Sequence, residues 1–242
     1  MLALNPVFSL WVGPNVSDFL FAKDTLLYSD MNGILLLYLR TEEGWKRDTL
    51  VFLSPGIRHL CRCGNKLYVA HFHRVQAYVG DSVGKGAYFP FVISGMACRR
   101  GTLLLYDPHT LYAWSVGSAP AVLYHTEDDL KDVLVLGDTL LLLQRNYLLS
   151  LSQEPETVVV FEDLADIRFA HPFGKAYLIV FGSGEVVAYL PGRGRGRKAK
   201  TYLLMDGVRR VKVRGDTVAA LMGDSIKVFV PMEKRRGGRW RR

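Results

Sequence analysis

The 242 residues include 31 lysines and arginines against 23 acids, a net charge of +8, and 49% of them are apolar. That apolar content excludes a chain disordered throughout, and no apolar run reaches the roughly 18 residues that a membrane-spanning helix needs. The three cysteines, Cys61, Cys63 and Cys98, form no CxxC pair. They argue against a disulfide framework or a four-ligand zinc site and read as reduced, buried thiols.

The chain opens with an apolar stretch that is interrupted by Asn5 and Pro6, and its first basic residue is Lys23. It lacks the charged start of a secretory signal, so a cytoplasmic protein without a membrane role is expected. Within it, residues 7–12 alternate as a strand with no sequence neighbour to pair with. Short β-rich runs then follow small turns at Lys23-Asp24, Gly64-Asn65, Gly101-Thr102, Gly137-Asp138, Gly174-Lys175 and Gly215-Asp216. The steps between them are 41, 37, 36, 37 and 41 residues. A four-stranded unit of propeller type recurs at about this period.

Each repeat divides into four strands. In the fourth they read 133–136, 139–143, 147–151 and 157–161, separated by Gly137-Asp138, Gln144-Arg145-Asn146 and Gln153-Glu154-Pro155. The Leu-rich segment 128–143 also admits a helix, but Gly137-Asp138 stands in its middle. The sixth repeat has strands at 210–213, 217–221 and 225–230, then Pro231 and a basic tail. Its missing fourth strand is expected from residues 7–12, which would remove two exposed edges at once.

Six repeats closed in this way resemble the β-propeller superfamily, of the WD-repeat-like kind, in architecture only. Trp-Asp blade ends and the kelch di-glycine are absent. The resemblance implies an all-β, six-bladed β-propeller with four-stranded antiparallel blades, its last blade completed by the N-terminal strand. The propeller is expected over 1–233, with blade boundaries near 17, 57, 95, 131, 165 and 207, and a basic tail over 234–242.

The charge is concentrated. Arg193, Arg195, Arg197, Lys198 and Lys200 lie in one loop, and Lys234, Arg235, Arg236, Arg239, Arg241 and Arg242 surround Trp240 in the tail. In a four-stranded meander both segments leave the same face from adjacent blades. The opposite face reads as acidic, with few bases such as Arg74 and Arg145. Flexible Arg-Gly segments suit phosphate backbones, and Trp240 adds a stacking plane. The expected function is therefore a non-enzymatic module that binds RNA, DNA or a ribonucleoprotein through these residues, with no cofactor. A protein–protein scaffold is the alternative. A third reading is an enzyme or metal site on the acidic face, where His71, His73, Asp107 and His109 fall near turns of the second and third repeats. Their spacing matches no catalytic motif.

Overall fold

The structure, a computed structural model, describes residues 4–22, 25–41, 44–52, 55–80, 82–151, 155–192, 199–231, 233–234 and 240–241. The first strand, β1 (Leu4–Trp11), stands apart from its sequence neighbours. Blade one is β2 (Val16–Ala22), β3 (Thr25–Asp30), β4 (Ile34–Thr41) and β5 (Gly44–Phe52). Blade two is β6 (His59–Cys63), β7 (Lys66–Ala70), β8 (Arg74–Val79) and β9 (Ser82–Tyr88). Blade three is β10 (Gly95–Arg99), β11 (Thr102–Tyr106), β12 (Thr110–Trp114) and β13 (Ala121–His125). Blade four is β14 (Leu130–Leu136), β15 (Thr139–Gln144), β16 (Tyr147–Ser150) and β17 (Glu156–Val160). Blade five is β18 (Ile167–Phe173), β19 (Ala176–Phe181), β20 (Val186–Leu190) and β21 (Lys200–Met205). Blade six begins with β22 (Val208–Arg214), β23 (Thr217–Met222) and β24 (Ser225–Pro231).

Its fourth strand is β1, which pairs antiparallel with β24 from Leu4↔Pro231 to Trp11↔Ser225. With this closing strand in place the chain has six four-stranded sheets and is an all-β, six-bladed β-propeller. The Leu-rich segment is not helical: Leu136 pairs with Thr139 across Gly137-Asp138. Two compact units are distinguished, one of 1–14, 146–148 and 158–242, the other of 15–145 and 149–157.

The repeated turn has a conformational cause. Gly64, Gly137, Gly174 and Gly215, each opening the turn between the first two strands of its blade, have φ of 61°, 60°, 61° and 56°. Tight hairpins favour a left-handed first residue, and glycine adopts it without steric cost. In blade three that place is taken by Arg100 at φ 49°, followed by Gly101 at 81°. The turn there is thus Arg100-Gly101, one residue earlier than the sequence repeat suggested.

The first strands of four blades carry a bulge near their start, and in blades one, four and six they begin two or three residues earlier than their apolar pattern indicates. The irregularities fall between Val16 and Asp18, Leu130 and Asp132, Ile167 and Phe169, and Val208 and Arg210. Aspartate disfavours regular strands, but here the bulge gives it work. Asp18 Oδ1 accepts the Phe19 N–H at 2.8 Å, and Asp132 Oδ1 accepts the Val133 N–H at 2.9 Å. Asp18 is only 1% exposed, and its other oxygen accepts the Leu60 N–H of blade two at 2.8 Å. Tyr106 of blade three donates to Asp132 at 3.2 Å.

The cysteines correct the sequence reading in part. Cys61 is a buried thiol outside any disulfide, but Cys63 and Cys98 form a disulfide between β6 and β10, with Cα atoms 5.3 Å apart. Cysteine spacing along the chain carries no sign of this bond, because its halves lie one blade apart at the same strand end. Around it the core of blades two and three is closed by Tyr68, Phe89, Trp114 and Leu105, with Phe89 and Trp114 edge to face at 5.4 Å.

Two stability predictions follow from these contacts. Asp18→Ala leaves two buried N–H groups without their acceptor and should cost about 2–3 kcal/mol. A thermal melt would then move down by roughly 5–10 °C, and an unchanged midpoint would remove the cross-blade role of the carboxylate. Opening the Cys63–Cys98 bond, which spans 35 residues, should cost about 3–4 kcal/mol by loop entropy. Denaturant titration with and without reductant measures it, and Cys63→Ser should reproduce the reduced value.

Candidate functional site

The side chains best placed to meet another molecule are on blade two. Residues 55–94 hold five lysines and arginines, three histidines and one acid, Asp81. The turn between β7 and β8, residues 71–73, carries Phe72 outward between two histidines. Phe72 is 49% exposed, and the guanidinium of Arg58 lies 3.7 Å from its ring centre. Arg74 and Tyr88 face each other across β8 and β9. There the guanidinium stands 5.5 Å from the ring centre of Tyr88, which is 77% exposed. Arg74 also donates to Gln76 Oε1 at 2.8 Å.

The backbone holds these side chains in a continuous rim. Phe72 accepts the Ile93 N–H at 2.7 Å, and His73 accepts the Phe89 N–H at 2.7 Å. His73 Nδ1 lies 2.8 Å from the Phe91 carbonyl oxygen, and Phe91 stacks on Tyr112 of blade three with centroids 4.2 Å apart. On the other side the Gly56 N–H donates to the Met31 carbonyl of blade one at 3.0 Å. Met31, Phe72, Tyr88 and Val92 are all exposed along this rim.

The acids that flank the rim are turned to internal work. Asp30 accepts the Ile34 N–H at 2.8 Å. Asp107 accepts the His109 and Thr110 N–H groups at 2.8 and 2.7 Å, and the Tyr112 hydroxyl at 3.1 Å. Beside these carboxylates the blade-two rim adds Arg58, Arg74 and the exposed rings of Phe72 and Tyr88.

This arrangement also decides where the histidine candidates stand. His71 and His73 serve the backbone of blade two, and Asp107 caps its own turn beside His109. Among the described residues no group of three or more His, Cys, Asp or Glu side chains assembles that could hold a metal ion. Burial pushes His71 below the ordinary histidine value; backbone hydrogen bonds at Gly56 and Pro55 oppose this, and the nearby Arg74 adds to it. Burial lowers His171 likewise, against its bond to the Pro172 carbonyl.

Of the expected phosphate-binding residues, Arg193, Arg195, Arg197 and Lys198 lie outside the described residues, as do Arg235, Arg236, Arg239 and Arg242. Lys200 opens β21 and is exposed. Lys234, Trp240 and Arg241 lie in two short strands, β25 (Glu233–Lys234) and β26 (Trp240–Arg241), which pair with each other where a structureless tail was expected. Val208, opening β22, donates to Gly184 at the β19–β20 turn, so Pro231 closing β24 lies on the same side as Leu190 closing β20 and Lys200 opening β21. At the first hairpin turn of blade three, Arg99 and Arg100 are held by Asp138 of blade four. Arg99 donates to its carbonyl at 2.6 Å, and Arg100 is ion-paired to its carboxylate at 2.6 Å.

No protein-family model matches the chain, and neither does any curated protein. Solved structures do match it along nearly its whole length. The WD40 β-propeller domain of Doa1 aligns with a TM-score of 0.63 at 9% identity, covering 96% of this chain and 98% of that one. A putative gluconolactonase aligns at 0.61 and 10% identity, covering 100% and 94%. BBS1N, solved in complex with ARL6DN, aligns at 0.58 and 12% identity, covering 98% of each chain. The likeness is one of fold.

The two lowered histidines make stability depend on pH. The folded chain takes up these protons less readily than the unfolded one. Their contribution is complete above the ordinary histidine value of about 6.5 and is lost as pH falls from there through the lower folded values. The thermal midpoint should fall between about pH 7.5 and about pH 5, with a shallower slope in His71→Asn. An identical slope in that variant would show that His71 is not held neutral by its setting.

Proposed function

We propose that this propeller is a non-catalytic protein-interaction scaffold that docks partners on the blade-two rim. The observation that carries the reading is the row of exposed Phe72, Tyr88 and Val92 interleaved with Arg58 and Arg74. Aromatic and arginine side chains dominate the energetics of protein interfaces, and a clustered row of them on a rigid sheet end suits that use. The fold supports the same use without imposing it. Among its structural neighbours, BBS1N is one solved together with a protein partner, ARL6DN.

The phosphate-binding reading has less behind it. None of the similar solved structures reported above speaks for it. Affinity capture from nuclease-treated extract of the source cells tests the scaffold directly, with Phe72→Ala/Tyr88→Ala as the paired control. A protein partner should be retained by the full chain at about 0.5 M salt and lost from the double variant, because apolar docking is weakly screened. Capture of nucleic acid alone, released between about 50 and 200 mM salt without nuclease treatment, would return the function to the basic loop and tail.

A further inference from the structure

One asparagine of the chain stands in an acceptor triplet for N-linked sugar. Asn15-Val16-Ser17 has the form Asn-x-Ser with x other than proline. The other four asparagines, Asn5, Asn32, Asn65 and Asn146, lack a serine or threonine two residues on. We infer that Asn15 is an N-glycosylation site, and that the propeller matures in a compartment where disulfides form and N-linked sugars are added. Such triplets arise by chance in many chains. Two structural facts independent of the motif give this one its meaning.

The first is the setting of Asn15. It lies in the turn between β1 and β2, beside Pro14, and both residues are exposed. Its backbone is fixed, because its carbonyl accepts the Met31 N–H at 2.9 Å. Among the described residues no hydrogen bond engages its side-chain amide. A bulky, hydrophilic sugar is tolerated only at the surface, and here it breaks no hydrogen bond of the fold. The second fact is the Cys63–Cys98 disulfide. Such bonds form and persist in oxidising compartments and are rare where thiols are kept reduced. Cys61 is compatible with this setting, since a thiol 6% exposed is shielded from oxidants. The compartment departs from the cytoplasm that the uncharged start suggested.

The step is a glycosyl transfer. The Asn15 amide nitrogen bonds to C1 of a sugar carried on a polyprenyl diphosphate. The C1–O bond to the diphosphate breaks, the lipid diphosphate leaves with the electron pair, and one amide proton is lost. In the folded chain the Ser17 hydroxyl lies 2.9 Å from the Ser29 hydroxyl and is partly buried. The triplet is therefore open to a transferase before β2 closes on β3, and transfer precedes folding. Through the Asn15–Met31 bond the finished sugar borders the exposed rim at its blade-one end.

The test uses the full chain isolated from its own cells. Its tryptic peptide 1–23, ending at Lys23, carries the site. Peptide N-glycosidase in heavy-oxygen water should convert Asn15 to labelled aspartate, and the treated chain should migrate faster on a gel. Thiol labelling of the same sample without reductant should leave Cys63 and Cys98 unmodified. Asn15→Gln and Ser17→Ala, expressed in the same cells, should each abolish the gel shift. Ser17→Thr, which keeps an acceptor triplet, should retain it. Asn15→Gln falls on an exposed turn and should leave the thermal midpoint unchanged. Recovery of peptide 1–23 with plain Asn15 at full abundance overturns the site, as does a gel shift that survives Asn15→Gln. Disulfides also form inside the cells of extreme thermophiles. An intact Cys63–Cys98 bond found beside plain Asn15 would assign the bond to stability alone and remove the sugar.

Discussion

The sixth blade can be completed only from the other end of the chain. Three strands, β22 to β24, come from one continuous stretch, and β24 would present an unpaired edge if nothing joined it. β1 supplies the missing row of hydrogen bonds over Leu4–Trp11, and the ends of the contact are fastened further. The Val12 and Gly13 N–H groups both donate to the Asp224 carbonyl, and the Trp11 indole donates to the Asp224 carboxylate at 2.9 Å. This one pairing ties the first fourteen residues to the last blade and removes an aggregation-prone edge. The direction of β24 is set by the β22–β24 meander, and β1 completes the blade along its open edge.

Much of the fold was legible because a propeller repeats its local chemistry. Glycine in the first hairpin turn of four blades marks a period that hydrophobic alternation alone would blur. What escaped the sequence reading lies where one blade meets the next. Asp18 sits buried inside β2 and holds the Leu60 N–H forty-two residues away. An aspartate in a strand is costly unless a bulge aims its carboxylate at N–H groups, and nothing local announces which N–H groups those are. The Cys63–Cys98 bond escaped for the same reason. Its partners lie at the same end of the first strands of adjacent blades, one residue out of step, a relation visible only once the blades are aligned in space.

The candidate site shows the opposite failure, since its signal was present and outweighed. The two basic stretches dominate the charge count, and they drew the functional argument to the loop and tail. Blade two is quieter, with five bases spread over forty residues and a single acid among them. Its meaning depends on placement. Arg62 and Lys66 fall beside the first hairpin turn, while Arg58 and Arg74 reach the other end and settle on aromatic rings. The acids that made this face read as acidic were counted as surface charge, but Asp30 and Asp107 spend theirs on turn N–H groups. A charge tally by loop records these carboxylates but not the exposed aromatic rings and guanidinium groups that stand beside them on the same rim.

The pairing of each arginine with a ring bears on how such a surface binds at all. A free arginine on a protein surface samples many rotamers, and fixing it on a partner costs roughly 0.5–1.5 kcal/mol. Arg58 over Phe72 and Arg74 over Tyr88 have met part of that cost within the free protein, because the cation–ring attraction already restricts them. Removing either member of a pair therefore damages both the charged and the apolar half of the contact. Blade two does not carry two arginines and two aromatics as four independent features. It carries two preorganised units, each with a cationic edge and an apolar rim, held at fixed spacing by the register of β8 and β9 and by the bond from Ile93 to Phe72.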